Sequence, residues 1–145
     1  MTKTSDIKKL PESREILKSY ENGEYIDAVL KCRIYVESWL VEYIFAVLYP
    51  IKSSASKEGR QFVMERFNDM YLQLTWLRQQ EHIGNDDYEN LNSIRKFCDK
   101  VFRAGDVFKV ANAEQLAKFV ELSMHYCGKL RELTRQTIEG AISYS

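Results

Sequence analysis

Apolar residues return every three or four positions along most of the chain. Strand-like alternation bounded by turn residues is missing, so the sequence predicts an all-α fold. The densest pattern covers residues 24–48. There Val29, Cys32, Val36, Trp39, Tyr43 and Val47 form one helical stripe, and Leu30, Ile34, Val41, Ile44, Phe45 and Leu48 fill much of the remaining circumference. A helix apolar on two sides is packed on two sides, which puts this one at the centre of a bundle or between the core and a dimer partner. Pro50 ends it, because the residue before a proline is driven out of the α region.

The remaining segments carry narrower stripes. Pro11 suits the first turn of a short helix reaching about residue 20, with Ser5 or Asp6 as an alternative, earlier start, and Asn22-Gly23 breaks it. Residues 51–59, with Ser53-Ser54-Ala55-Ser56, read as a mobile loop. From 60 to about 80, Val63, Phe67, Met70, Leu74 and Leu77 predict one continuous helix laying a single stripe on the central one. Gly84-Asn85 interrupts the pattern, Asn85 or Asp86 caps the next helix, and Ala104-Gly105 closes it. Val107, Phe108 and Val110 in the connection that follows pack back onto the core. Asn112 caps a last helix whose stripe runs through Leu116, Val120, Ser123, Cys127, Leu130, Thr134 and Ile138. Short loops favour antiparallel neighbours. The expectation is a single domain over residues 1–145, an antiparallel helical bundle of four main helices plus a short N-terminal helix, with residues 1–10 and 140–145 frayed.

Composition narrows the function classes. A chain of 145 residues that is 45% apolar is long enough to bury one core. Lys plus Arg and Asp plus Glu both number 21, so the molecule as a whole does not attract nucleic acid, and any anion binding has to come from a local patch. Glu37 and Glu42 interrupt the longest apolar run before it reaches the roughly 18 residues needed to cross a bilayer. The polar opening Met1–Leu10 has no apolar signal region, and a cytoplasmic protein with no membrane partner is expected. Cys32, Cys98 and Cys127 are odd in number, widely spaced and set among apolar residues, which suits reduced core thiols. No CxxC or clustered Cys/His pattern points to a metal, and no cofactor is expected.

Candidate chemistry concentrates in residues 91–105. Leu91, Ile94, Cys98, Val101 and Phe102 recur at helical spacing, and Arg95, Asp99 and Arg103 step four residues at a time along the edge of that stripe. At about 100° per residue the ladder starts beside the apolar stripe at Arg95 and drifts toward solvent by Arg103. Arg95, Lys96, Lys100 and Arg103 against Asp99 make this the best local site for an anion or RNA, and Arg95, Asp99 and Arg103 are the catalytic candidates. The plain alternative is two i,i+4 salt bridges on a solvated helix face, each worth a few tenths of a kcal/mol.

The segment resembles the C-terminal motif of the HEPN superfamily (higher eukaryotes and prokaryotes nucleotide-binding domain). That motif runs Ile-Arg-Lys, a polar Asn, a His and then a small residue or Gly. Ile94-Arg95-Lys96 matches its start and Ala104-Gly105 its end, but Asp99 replaces the Asn and Arg103 the His. Glu24-Tyr25 followed by Ala28, Arg33 and Glu37 is similar to the family's second helix. The resemblance implies a helical homodimer. In active members the Arg and His of two subunits cleave RNA without metal, and Arg95 would face the cleft between subunits. Attack by a ribose 2′-hydroxyl needs a group to take its proton, which histidine does near neutral pH. Arginine binds a phosphate bidentately but stays protonated with a pKa above about 12. A carboxylate held between guanidiniums is a poor proton acceptor and repels phosphate.

Neither histidine restores the motif. His82 stands too close to Arg78 for the family's spacing and precedes the Gly84-Asn85 break, and His125 lies off the main stripe of the last helix. Tyr20, Tyr25, Tyr35, Trp39 and Tyr43 have the chemistry to stack on bases, although aromatics at helical spacing are usually core. The leading expectation is therefore a catalytically degenerate, dimeric binding module for a protein, RNA or nucleotide partner. By resemblance it belongs with prokaryotic defence, toxin-antitoxin pairs or stress responses. The alternatives are a metal-independent ribonuclease toxin and an unrelated helical adaptor or regulator.

Overall fold

Pro11 occupies the first turn of a helix, where its missing N–H costs nothing, and Gly23 takes up φ 76° just beyond that helix's end. The computed structural model describes residues 10–49 and 56–143. Within them run six α-helices, α1 (Pro11–Glu21), α2 (Tyr25–Leu48), α3 (Ser56–Arg66), α4 (Met70–Gln79), α5 (Asn85–Ala104) and α6 (Ala113–Ser143), with a 3₁₀ turn at Val107–Lys109. No strand occurs among the described residues, and none of their helices is long and apolar enough to cross a membrane. The all-α helical bundle expected from the periodicity is the observed architecture.

α2 is the axis of the bundle. It packs against α1, α3, α4, α5 and, most extensively, α6, burying Val29, Cys32, Val36, Leu40, Tyr43 and Ile44. Its second apolar side is covered only toward the C-terminal end, where Phe45 is buried, whereas Ile26, Leu30 and Ile34 stay 40%, 41% and 50% exposed. α5 runs antiparallel to it. Arg33 early in α2 meets Asp99 late in α5, and Tyr43 late in α2 donates to the His82 carbonyl just before α5 begins.

The expected continuous helix over 60–80 is instead two helices, which makes the count six rather than four plus one. The break falls at Phe67-Asn68-Asp69. Asp69 is extended (φ −142°, ψ 159°), and its carboxylate accepts from the Leu72 N–H at 2.8 Å, capping α4. The buried Gln73 amide donates to the Phe67 carbonyl at 2.9 Å, satisfying a group that the bend would otherwise leave unpaired. Phe67 and Met70 are buried on either side of the bend, so the apolar spacing continues through a backbone that does not.

Other ends differ in detail. Residues 56–59, read as loop, form the first turn of α3, and 51–55 lie outside the described residues, as does the alternative start at Ser5 or Asp6. Gly84, rather than Asn85 or Asp86, is the N-cap of α5 and supplies no side-chain bond; Asp86 and Asp87 sit in the first turn, where the helix dipole favours them. Gly105 closes α5 in the left-handed conformation. Asn112 and Gln115 exchange side-chain-to-backbone hydrogen bonds at 2.9 and 2.8 Å, a capping box that starts α6. α6 passes Gly140 without a break and is helical through Ser143, so the fraying expected from residue 140 is not seen over 140–143, and 144–145 lie outside the described residues, as do 1–9.

Val107 is buried and Val110 half-buried, but Phe108 is exposed and meets Tyr25 edge-on with ring centroids 5.2 Å apart. A polar cluster joins α5 to α6, in which Asp87 accepts from the Tyr126 hydroxyl and from Lys129, both at 2.7 Å, and Asn90 donates to Tyr126. The three cysteines are free and buried.

Candidate functional site

Two faces of α5 carry the candidate residues, and the helix turn separates them. On the face toward α2 and α4, Arg95 is held at three points. Its Nε donates to Asn92 Oδ1 at 3.0 Å, its Nη1 to Asp99 Oδ2 at 3.5 Å, and its guanidinium lies 5.5 Å from the Tyr71 ring centroid. The other oxygen of Asp99 accepts from Arg33 Nη1 on α2 at 3.1 Å. Arg33 Nε stands 3.9 Å from Glu37, which extends the charge chain by one further turn. Burial pushes the Glu37 carboxyl up, with Arg33 pulling the other way. Cys98 on the same helix is driven up to about 12 by burial, against the pull of Arg33, so it is no nucleophile.

On the other face Lys96, Lys100 and Arg103 recur at i, i+4 and i+7, all exposed and without an ion pair among the described residues. Lys96 and Lys100 border a cavity of about 380 Å³ between α5 and the start of α6, together with Ser93, Phe97, Val110, Ala111 and Gln115.

The candidate residues are thus divided. Arg95 and Asp99 come together, Arg103 does not join them, and the Asp99 carboxylate is bracketed by Arg33 and Arg95 rather than by Arg95 and Arg103. Asp99 is one turn from both Arg95 and Arg103, but its second oxygen is taken by Arg33 of the neighbouring helix, and Arg103, about 80° round from Arg95, is exposed to solvent. The expected drift from a held Arg95 to a solvated Arg103 is what the helix displays, with the Arg95 side chain 20% exposed and that of Asp99 40%. Arg33 is the member of this cluster that spacing alone does not reveal, because its partner is 66 positions away.

Neither imidazole enters this cluster. The His82 ring lies against Trp76 at 5.5 Å and its carbonyl is taken by Tyr43. His125 is exposed on α6 and meets Tyr126 edge-on. The candidate stacking aromatics are engaged in packing. Tyr25 contacts Tyr20 and Phe108, and the Trp39 Nε1 donates to Glu12 at 3.3 Å beneath the Arg131 guanidinium. Among the described residues no group of three or more His, Cys, Asp or Glu side chains is arranged to hold a metal ion. The arrangement can hold anions on one face of α5 and fix a carboxylate on the other, but it offers no proton shuttle beside Arg95. Comparison with protein-family profiles, curated proteins and solved structures yields no match to this chain.

Proposed function

We propose that this chain is a HEPN-like helical domain that has lost hydrolytic chemistry and works by association, as a cytoplasmic homodimer binding a protein, RNA or nucleotide partner. The observation that carries the reading is the Asp99 carboxylate, each of whose oxygens accepts from a different arginine, Arg33 and Arg95. Both oxygens of that carboxylate are turned to guanidiniums, and no imidazole stands beside the cluster to act as the base that attack by a ribose hydroxyl needs. Ile26, Leu30 and Ile34 add support for association, because they leave one apolar stripe of the central helix open to a partner. An anionic partner would meet Lys96, Lys100 and Arg103 rather than the engaged Arg95. The link to prokaryotic defence or stress response comes with the family resemblance and belongs to the proposal.

Purified protein is expected not to degrade RNA above background, and light scattering is expected to give a dimer. RNA cleavage abolished by Arg95→Ala would overturn the non-catalytic reading in favour of a metal-independent ribonuclease. A monomer at high concentration would remove the shared cleft and favour the plain helical adaptor, for which the same exposed stripe of α2 is the docking surface.

A further inference from the structure

We propose that the cavity between α5 and the start of α6 binds a small phosphomonoester. Lys96 and Lys100 would hold its phosphate, and its organic body would lie against Phe97 and Val110. The inference draws on the cationic face invoked above but needs neither a dimer nor Arg95.

The lining selects an anion. Lys96 and Lys100 are exposed, one turn apart and unpaired, and no carboxylate borders the cavity. Asp99, the acid nearest to them in sequence, does not line the cavity, and its two oxygens are engaged by Arg33 and Arg95. Glu114 is occupied by Lys118 at 3.2 Å. Gln115 commits its carbonyl oxygen to the Asn112 N–H, which leaves its amide NH₂ as a third donor. The Ser93 hydroxyl donates to the Asn90 carbonyl at 2.6 Å, so its oxygen keeps acceptor capacity for a ligand hydroxyl. Two ammonium groups on side chains that leave the helix one turn apart suit a compact group of roughly two negative charges and three acceptor oxygens better than they suit a single carboxylate.

The rest of the lining suits an apolar or ring-shaped body. Phe97 is held in place by stacking on Phe119, with ring centroids 4.2 Å apart and planes 20° from parallel. Val110 and Ala111 complete the apolar part of the lining, and the cavity's volume of about 380 Å³ falls in the range of small-molecule sites. Arg103 extends the positive field one turn further along α5.

The test is a calorimetric titration of the full chain with phenyl phosphate, inorganic phosphate and benzyl alcohol, with amide shifts followed by NMR. Phenyl phosphate is expected to bind saturably and more tightly than phosphate, with shifts confined to residues 93–100 and 110–115, and benzyl alcohol is expected not to bind. Removing both ammonium groups in Lys96→Gln/Lys100→Gln should weaken phenyl phosphate by about tenfold or more. Lys118→Gln, outside the cavity, should leave it unchanged. The proposal is overturned by no saturable binding up to about 10 mM, by binding that survives the double substitution, or by shifts spread over all surface lysines. An oligonucleotide that binds through the same lysines without competition from phenyl phosphate also overturns it. RNA cleavage or a monomeric state would defeat the proposed function and leave this titration untouched.

Discussion

Arg33 and Asp99, 66 positions apart in the chain, meet at 3.1 Å between α2 and α5, with Arg33 the more buried of the two. Arg33 Nε has no hydrogen-bond partner of its own, so Asp99 is the main compensation for a guanidinium drawn out of water. Asp99→Ala leaves Arg33 with only Glu37 at 3.9 Å and Arg95 with Asn92 and the Tyr71 ring, and is expected to destabilise the fold by about 1–2 kcal/mol. A double-mutant cycle with Arg33→Ala should give a coupling of about 1 kcal/mol in urea denaturation. A coupling within error of zero would reduce the contact to an ordinary solvated pair.

The bend before α4 depends on one carboxylate. Asp69→Ala removes the cap on the Leu72 N–H and is expected to cost about 1 kcal/mol, while Asp69→Asn keeps most of it. Thermal melts of the two variants beside the parent check this. Equal losses from both would assign the effect to charge rather than to the cap.

Asp87 gives stability a dependence on acid. Burial disfavours its charged form, but the hydrogen bonds from Lys129 and Tyr126 outweigh burial and hold the carboxyl below the usual range. The group is therefore ionised more readily folded than unfolded. Its contribution is complete above the unfolded value, about pH 4, and is lost as pH falls through the lower folded value. Tyr126, pushed up to about 12 by burial, stays a donor throughout that window. Melting temperatures taken from pH 6 downward should fall below about pH 4 in the parent, with a flatter acid limb in Asp87→Asn.

Legibility followed the physics of each signal. Gly23, Gly105 and the Asn112 cap are local devices whose contacts lie within a few positions, and the sequence displays them directly, while the return bond that Gln115 accepts from Asn112 appears only in the structure. The stripes of α2, α5 and α6 are legible because burial repeats with the helical period. The bend at Asn68-Asp69 escaped because hydrophobic spacing records which side chains are buried and is blind to a change of axis that keeps them buried. Asp69, a strong cap residue inside a presumed helix, was the available hint. At the site, helical rotation made the unequal exposure of Arg95 and Arg103 readable. The pairing of Asp99 with Arg33 was not, since nothing local couples residues of separate helices.

Because α5 holds Arg95 and Asp99 against the bundle and Lys96, Lys100 and Arg103 toward solvent, it acts as a bulkhead between two charge environments. Changes on the outer side can retune what the protein attracts without loosening the joint to α2, and changes on the inner side alter rigidity without touching that attraction. A selection experiment for altered ligand preference should therefore gather its substitutions on one flank of this helix and spare the other.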